Sequence, residues 1–81
     1  MNIIVYGPGC PNCKKLEENV FNALANLDVA AAVEKCTDLT KISQSGVWRT
    51  PGLSINGEIV SQGKILAVSN IEKLISERLN K

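Results

Sequence analysis

The chain has 81 residues, of which 44% are hydrophobic and 21% charged, a length that fits one hydrophobic core and excludes two. Nine Lys and Arg residues against eight Asp and Glu residues leave a formal net charge of +1, without the basic blocks that bind nucleic acid. We therefore predict a single domain over residues 1–81 with no nucleic-acid partner.

The amino terminus and the cysteine count indicate where the protein works. The stretch MNIIVYG contains no positively charged side chain and only a short apolar run before Gly7, so it predicts neither a signal peptide nor a membrane span. The three cysteines are an odd number, whereas small secreted proteins held together by disulfides contain even numbers. We therefore expect a cytoplasmic protein without a membrane partner.

The first part of the sequence predicts a strand and a long helix. Residues 2–6 form an apolar run that ends at Gly7, which is typical of a buried parallel strand followed by a turn. Pro11 then occupies the first position of a helix, with Cys10 as its cap. Apolar residues recur at helical spacing through the following turns, and Cys13 belongs to this apolar stripe.

The middle of the sequence predicts a second strand, a short helix and a hairpin. Residues 29–35 are the strand, and Thr37 or Asp38 can cap a helix that ends before Gly46. The Asn-Gly pair at residues 56–57 separates two strand-like runs and supplies the positive φ angles that a two-residue hairpin turn requires.

The complete element order is β-α-β-α-β-β-α. Ser69 and Glu72 predict a capping box at the start of the last, amphipathic helix. A β-α-β start requires a right-handed crossover and makes the first two strands parallel, while the hairpin adds antiparallel strands. We therefore predict an α/β fold in which helices cover both faces of a four-stranded mixed sheet.

The spacing of Cys10 and Cys13 suits reversible disulfide chemistry better than stabilisation. Cβ atoms three residues apart near a helix start are about 5–6 Å apart, and a modest backbone adjustment then allows a disulfide. A structural disulfide around so short a loop would contribute only roughly 2 kcal/mol. Structural zinc needs four ligands, and the chain contains no His and one further cysteine, Cys36. Disulfide exchange is therefore favoured, and a soft-metal or metalloid binder using Cys10, Cys13 and Cys36 is the alternative.

The two sulfurs of this pair are expected to differ in reactivity. Cys10 precedes the helix, where unpaired backbone amides and the positive end of the helix dipole lower the pKa of a thiol. Lys14 follows four residues later and can lower the pKa of Cys10 further. Cys13 lies on the stripe that faces the core. We expect the Cys10 thiolate to attack a substrate disulfide and Cys13 to displace the product.

Two stretches, GPGCPNCKKLEENV and GVWRTPGLSINGEIVSQGK, together with the closing amphipathic helix, resemble the thioredoxin and glutaredoxin superfamily, in particular its small "redox-active disulfide protein" subgroup. The resemblance covers nearly the whole chain. It implies a thioredoxin-like fold and a thiol-disulfide oxidoreductase that acts on protein disulfides. It also implies an electron donor similar to thioredoxin reductase, and no cofactor beyond the redox-active disulfide of Cys10 and Cys13. We expect a monomer.

The resemblance also implies which residues support the pair. Pro51 matches the proline that opens the third strand after a cis peptide bond and faces the disulfide. The main chain of Thr50 would then be free to pair with an extended substrate. Pro11 and Lys14, within and after the cysteine motif, complete the expected site.

The sequence departs from the patterns of both families in three places. Gly9 stands where thioredoxins carry Trp before the first cysteine, and Ile4 stands where they carry a buried carboxylate. The stretch Gly63-Lys64-Ile65 replaces the Gly-Gly-acid signature of glutaredoxins. The sequence therefore predicts neither a general base for Cys13 nor glutathione binding.

Three further residues each have two interpretations. Tyr6 either shields the sulfurs or packs, and packing is favoured. Trp48 either contributes to a substrate-binding rim beside Pro51 or covers the core. Cys36 is a candidate third redox thiol, but an inert core position is favoured because free cysteines are among the most buried residues. Gly52 is predicted to allow close approach of another part of the chain.

Overall fold

The seven predicted elements occur in the predicted order in the computed structural model, which describes residues 1–8 and 11–79. Their bounds are β1 Asn2–Tyr6, α1 Pro11–Leu27, β2 Ala32–Cys36, α2 Leu39–Ser45, β3 Gly52–Ile55, β4 Glu58–Gln62 and α3 Val68–Leu79. Among the described helices, none combines the length and apolar character needed to cross a bilayer.

The four strands form one mixed sheet in the order β2-β1-β3-β4. β1 pairs in parallel with β2, as a crossover through α1 requires, and pairs antiparallel with β3 on its other side. β4 completes the sheet as the second strand of the hairpin. The predicted α/β fold with a mixed four-stranded sheet is therefore confirmed.

One face of the sheet carries the hydrophobic core. Ile3 and Val5 alternate along β1 with half-buried or exposed neighbours and pair across the sheet with Ile55 and Leu53. This face packs against α1 and α3, and each side chain fully buried there contributes about 1.5–3 kcal/mol. The core cluster comprises Ile3, Val5, Leu16, Val20, Ala23, Leu24, Leu53, Ile55, Ile71 and Ile75.

The opposite face of the sheet is covered less completely. Ile4 and Tyr6 point to this face from β1 and are half-buried. The covering helix is α2, which has seven residues and buries Ile42. Helices thus lie on both faces, as predicted, but the second layer is short.

Three local sequence signals are confirmed. Helix α1 begins at Pro11. Asp38 caps α2, because its Oδ1 accepts hydrogen bonds from the backbone N–H of Thr40 at 2.9 Å and of Lys41 at 3.4 Å. The hairpin turn is made by the Asn-Gly pair at residues 56–57, with φ angles of 53° and 84°.

Two sequence-based boundaries are wrong. Strand β2 begins at Ala32 rather than at Val29, because residues after α1 first close the helix end: Asp28 has a φ of 54°, and the Val29 N–H donates to the carbonyl of Leu24 at 3.0 Å. The capping box does not form, since α3 begins one residue before Ser69. The side chain of Glu72 instead accepts a hydrogen bond from Asn26 of α1 at 3.2 Å.

Candidate active site

Cys13 lies in the first turn of α1 and faces the core. Its exposed fraction is 5%, whereas the side chains on either side of it, Asn12 and Lys14, are exposed. The inward position that the apolar stripe predicts for Cys13 is therefore confirmed. Cys10 falls outside the described residues, and in the sequence it directly precedes Pro11, where α1 begins.

Gly7 brings the end of β1 into contact with Cys13. Ile3, Val5 and Gly7 are every second residue along the chain, so they share one face of the sheet. A side chain at Gly7 would therefore point to the face that packs against α1. A Cβ built on Gly7 would overlap the Sγ of Cys13 and would lie 3.8 Å from the Cβ of Thr50. The sulfur of Cys13, the end of β1 and Thr50 therefore meet at one place.

The segment before β3 completes this place. The peptide bond between Thr50 and Pro51 is cis, Pro51 is buried, and Thr50 is exposed. The carbonyl of Pro51 accepts a hydrogen bond from the N–H of Gly63 at 2.9 Å, which ties the segment to the end of β4. The structure thus places Thr50 beside Cys13, as the predicted site requires, with its side chain open to solvent.

The two remaining predicted support residues of α1 lie on its outer surface. Pro11 and Lys14 are both exposed in the first turn. Within residues 1–8 and 11–79, no carboxylate lies within ion-pair distance of Lys14. Lys14 therefore adds positive charge to the solvent side of the helix start.

Tyr6 and Cys36 lie on the other face of the sheet from Cys13. They are paired neighbours on β1 and β2, and both line an open cavity of about 430 Å³ whose walls also include Asp38 and Lys41. The favoured core position of Cys36 is wrong: the residue is half-buried because β2 is an edge strand and the short α2 leaves this face partly open. Tyr6 therefore does not shield Cys13, and it forms part of the wall of this cavity instead.

Trp48 extends into solvent beside the same segment. Its exposed fraction is 90%, so the interpretation that it covers the core is wrong, and Val47 fills that role with 5% exposure. The backbone N–H of Trp48 donates to Oε1 of Gln62 at 2.6 Å, and the Arg49 side chain packs over Gly63. The loop that carries Trp48 is therefore held against the end of β4.

Gly52 and Gly7 are both positions where space, rather than backbone conformation, requires glycine. Neither has a positive φ angle. A Cβ on Gly52 would lie 2.8 Å from Cγ1 of Val47, which agrees with the close approach predicted there. The role of Gly7 was missed, because it was interpreted as a turn residue; the alternation from Ile3 through Val5 is the signal that could have found it.

Within the described residues, 1–8 and 11–79, no group of three or more His, Cys, Asp or Glu side chains is arranged to hold a metal ion. Ile4, which stands where thioredoxins carry a buried carboxylate, is half-buried on the α2 face. The chemical groups that the described site offers are the Cys13 sulfur, the backbone around Thr50 and the Lys14 ammonium group.

Comparison with known proteins shows what the chain is similar to. A family model described as a thioredoxin domain matches residues 1–76. The chain is 36% identical over 76 residues to a protein named thioredoxin from Methanothermobacter thermautotrophicus, an alignment that covers 94% of this chain and 99% of the relative. It is also 36% identical over 77 residues to a thioredoxin from Methanocaldococcus jannaschii, covering 95% of this chain and 88% of the relative.

Proposed function

Because the chain belongs to the thioredoxin domain family, we propose that it is a thiol-disulfide oxidoreductase that exchanges electrons with protein disulfides through Cys10 and Cys13. The observation that carries this proposal is the position of Cys13: it is buried in the first turn of α1, three residues after Cys10 and in contact with the end of β1. Two-step exchange requires a second thiol that can attack the first, and Cys13 follows Cys10 closely enough in the sequence to serve as that thiol.

The proposed reaction has two balanced steps. The Cys10 thiolate attacks one sulfur of the substrate disulfide, which forms a mixed disulfide and releases the other substrate sulfur as a thiolate. Cys13 then transfers its proton to water or to the released substrate thiolate and attacks the Cys10 sulfur, which forms the Cys10–Cys13 disulfide and releases the second substrate thiolate. The substrate gains two electrons, and a reductase similar to thioredoxin reductase supplies two more to reduce the Cys10–Cys13 disulfide again. No bound cofactor takes part.

The proposed substrate segment binds along Thr50. Within residues 1–8 and 11–79, no backbone hydrogen bond outside the helices and strands involves Thr50, although its neighbour Pro51 accepts one from Gly63. An extended peptide can therefore pair with the Thr50 main chain next to Cys13, in the manner of an added strand. We propose that this pairing places the substrate disulfide near the reactive cysteines.

Trp48 and Arg49 extend the proposed binding surface away from the sulfurs. Exposed Trp and Arg side chains are the residue types that most often dominate protein interfaces. Lys64, which follows Gly63 in the chain, is also exposed, and neither it nor Arg49 has a carboxylate within ion-pair distance in the described part of the chain. This rim suits protein substrates that present an apolar side chain and acidic groups beside their disulfide.

Trp48→Ala should weaken the reaction with protein disulfides while leaving the reaction with small disulfides unchanged. If Trp48 contacts the substrate protein, its loss should raise KM by roughly tenfold. Steady-state reduction of a protein disulfide and of hydroxyethyl disulfide, measured with the same variant, checks this. Leu39→Ala is the matched control, because Leu39 is another exposed apolar residue, 67% exposed, and is the first residue of α2 rather than part of the loop that carries Trp48. Equal effects of the two variants would contradict a binding role for Trp48.

An equilibrium titration tests the proposed function itself. The purified protein is first analysed for bound metal and is then equilibrated with thiol buffers of graded potential, and the fraction of oxidised Cys10–Cys13 is measured by alkylation and intact mass. We expect one reversible two-electron transition and no retained metal. Stoichiometric metal retention without reversible oxidation would contradict the proposal and favour thiolate binding of a soft metal or metalloid instead.

A further inference from the structure

We infer that Gly7 is a positioning residue for Cys13: the absence of a side chain at the end of β1 lets the Cys13 sulfur occupy the place from which it attacks Cys10. This inference rests on the proposed exchange reaction. Its basis is the overlap that a Cβ on Gly7 would have with the Sγ of Cys13, and the Cβ of Cys13 lies only 3.1 Å from the same point. Real Cβ atoms do not approach other atoms so closely, so any larger residue would displace the sulfur.

The backbone at Gly7 is well fixed, so it cannot easily move to make room. Its N–H donates to the carbonyl of Cys36 on β2 at 2.9 Å, directly after the paired residues Tyr6 and Cys36. The φ angle of Gly7 is not in the left-handed region, where glycine is favoured for conformational reasons. The requirement for glycine here is therefore one of space, and the sulfur is the atom that must give way.

The place beside Gly7 is crowded, so a displaced sulfur would have little free space around it. The Cβ of Thr50 lies 3.8 Å from the position that a Gly7 side chain would take, and Cys13 is 95% buried by its surroundings, with Leu16 fully buried one turn further along α1. An added methyl group must therefore push Sγ along or away from the end of β1. This movement changes the distance and angle at which Cys13 meets the Cys10 sulfur.

The chemical consequence is confined to the second step of exchange. In the first step Cys10 attacks the substrate, and Cys13 does not form or break a bond. In the second step the Cys13 sulfur forms a bond to the Cys10 sulfur while the bond from Cys10 to the substrate breaks. Misplacement of a reacting atom by about 1 Å can slow a reaction by as much as a hundredfold. A change at Gly7 should therefore slow product release from the mixed disulfide selectively.

Single-turnover reaction of reduced Gly7→Ala with dithiobis(nitrobenzoate) measures both steps. Attack by Cys10 releases the first coloured thiolate, and attack by Cys13 releases the second. In a Cys36→Ser background, which removes the third thiol, we expect a first phase within about twofold of the parent protein and a second phase slowed about 10–100-fold. An unchanged second phase would overturn the inference.

Gly52→Ala is the matched control for general crowding. A Cβ on Gly52 would meet Val47 at 2.8 Å rather than Cys13, and Gly52, like Gly7, has no positive φ angle. We expect both phases of Gly52→Ala to match the parent protein. If Gly52→Ala slows the second phase as much as Gly7→Ala does, the effect comes from loosened packing and the inference is wrong. If the parent protein shows no second phase at all, the proposed exchange function is wrong.

A double-mutant cycle of stability tests the contact between Gly7 and the Cys13 sulfur without a measurement of catalysis. It remains informative if Gly7→Ala is destabilised. Under reducing conditions, urea midpoints are measured for the parent protein, Gly7→Ala, Cys13→Ala and the double variant. Because Cys13→Ala removes the atom that Gly7→Ala would overlap, we expect Gly7→Ala to lower the midpoint clearly in the parent protein and only slightly in the Cys13→Ala background. Additive effects would overturn the inference, because they would show that the Cys13 sulfur does not occupy the space beside Gly7.

Discussion

Cys13→Ser is expected to accumulate a stable mixed disulfide between Cys10 and its substrate. Cys10→Ser is expected to accumulate less of this adduct, by a factor of about ten or more. In the first variant the attacking thiol remains and the thiol that resolves the adduct is gone. In the second variant the remaining Cys13 is 5% exposed, so a folded substrate protein cannot reach it easily. Both variants should lose steady-state turnover. Intact mass of the protein after incubation with a protein disulfide measures the adducts.

Cys36 requires a control in this experiment, since it is a half-buried thiol in the wall of an open cavity. Both variants should therefore be made in a Cys36→Ser background. The Cys36→Ser protein alone is expected to keep full turnover, because Cys36 and Cys13 lie on opposite faces of the sheet. Equal adduct yields in the two variants would contradict the roles assigned to Cys10 and Cys13, and lost turnover in Cys36→Ser would make Cys36 a participant.

The elements that sequence predicted well are those that depend on neighbouring residues. Pro11 suits the first position of a helix through its fixed φ angle, and the Asp38 carboxylate reaches amides two and three residues further on. The Asn-Gly turn depends on the backbone freedom of the same two residues. In each case the physical cause lies within a few residues of the signal, so a single sequence contains it.

The boundaries that sequence missed are set by hydrogen bonds that compete with the predicted ones, and one of these joins distant residues. The Glu72 side chain, which would serve a capping box in an isolated helix, bonds to Asn26 of α1. The start of β2 is delayed because Asp28 and Val29 first close the end of α1. Pattern reasoning has no access to these competing hydrogen bonds.

The residues of the candidate site also differ in how well the sequence predicted them. Helical spacing sufficed to place Cys13 on the buried side of α1, because the apolar stripe extends through the whole helix. The exposure of Cys36 and Trp48 could not be read from spacing, since it depends on how much of the second sheet face the short α2 covers and on where the loop before β3 is anchored. To find the role of Gly7 from the sequence, the alternation of buried residues along β1 would have to be combined with the packing of α1 against that strand.

Unequal reactivity of the two sulfurs is the physical basis of the proposed mechanism. α1 begins at Pro11, immediately after Cys10, so the unpaired amides of its first turn and its dipole should hold the pKa of the Cys10 thiol below that of an ordinary cysteine. A thiolate, not a thiol, reacts with alkylating agents. If the pKa of the Cys10 thiol is lowered, its alkylation rate begins to increase at a lower pH and is higher at neutral pH.

Alkylation kinetics of two single-thiol proteins measure this difference directly. Cys13→Ser with Cys36→Ser leaves Cys10 alone, and Cys10→Ser with Cys36→Ser leaves Cys13 alone; the rate with iodoacetamide is followed from acidic to alkaline pH. We expect the Cys10 rate to reach half its plateau below the value of about 8.5 that is typical of a free thiol, and to exceed the Cys13 rate at neutral pH by at least about tenfold. A Cys10 thiol that titrates like free cysteine and reacts no faster than Cys13 would contradict the account.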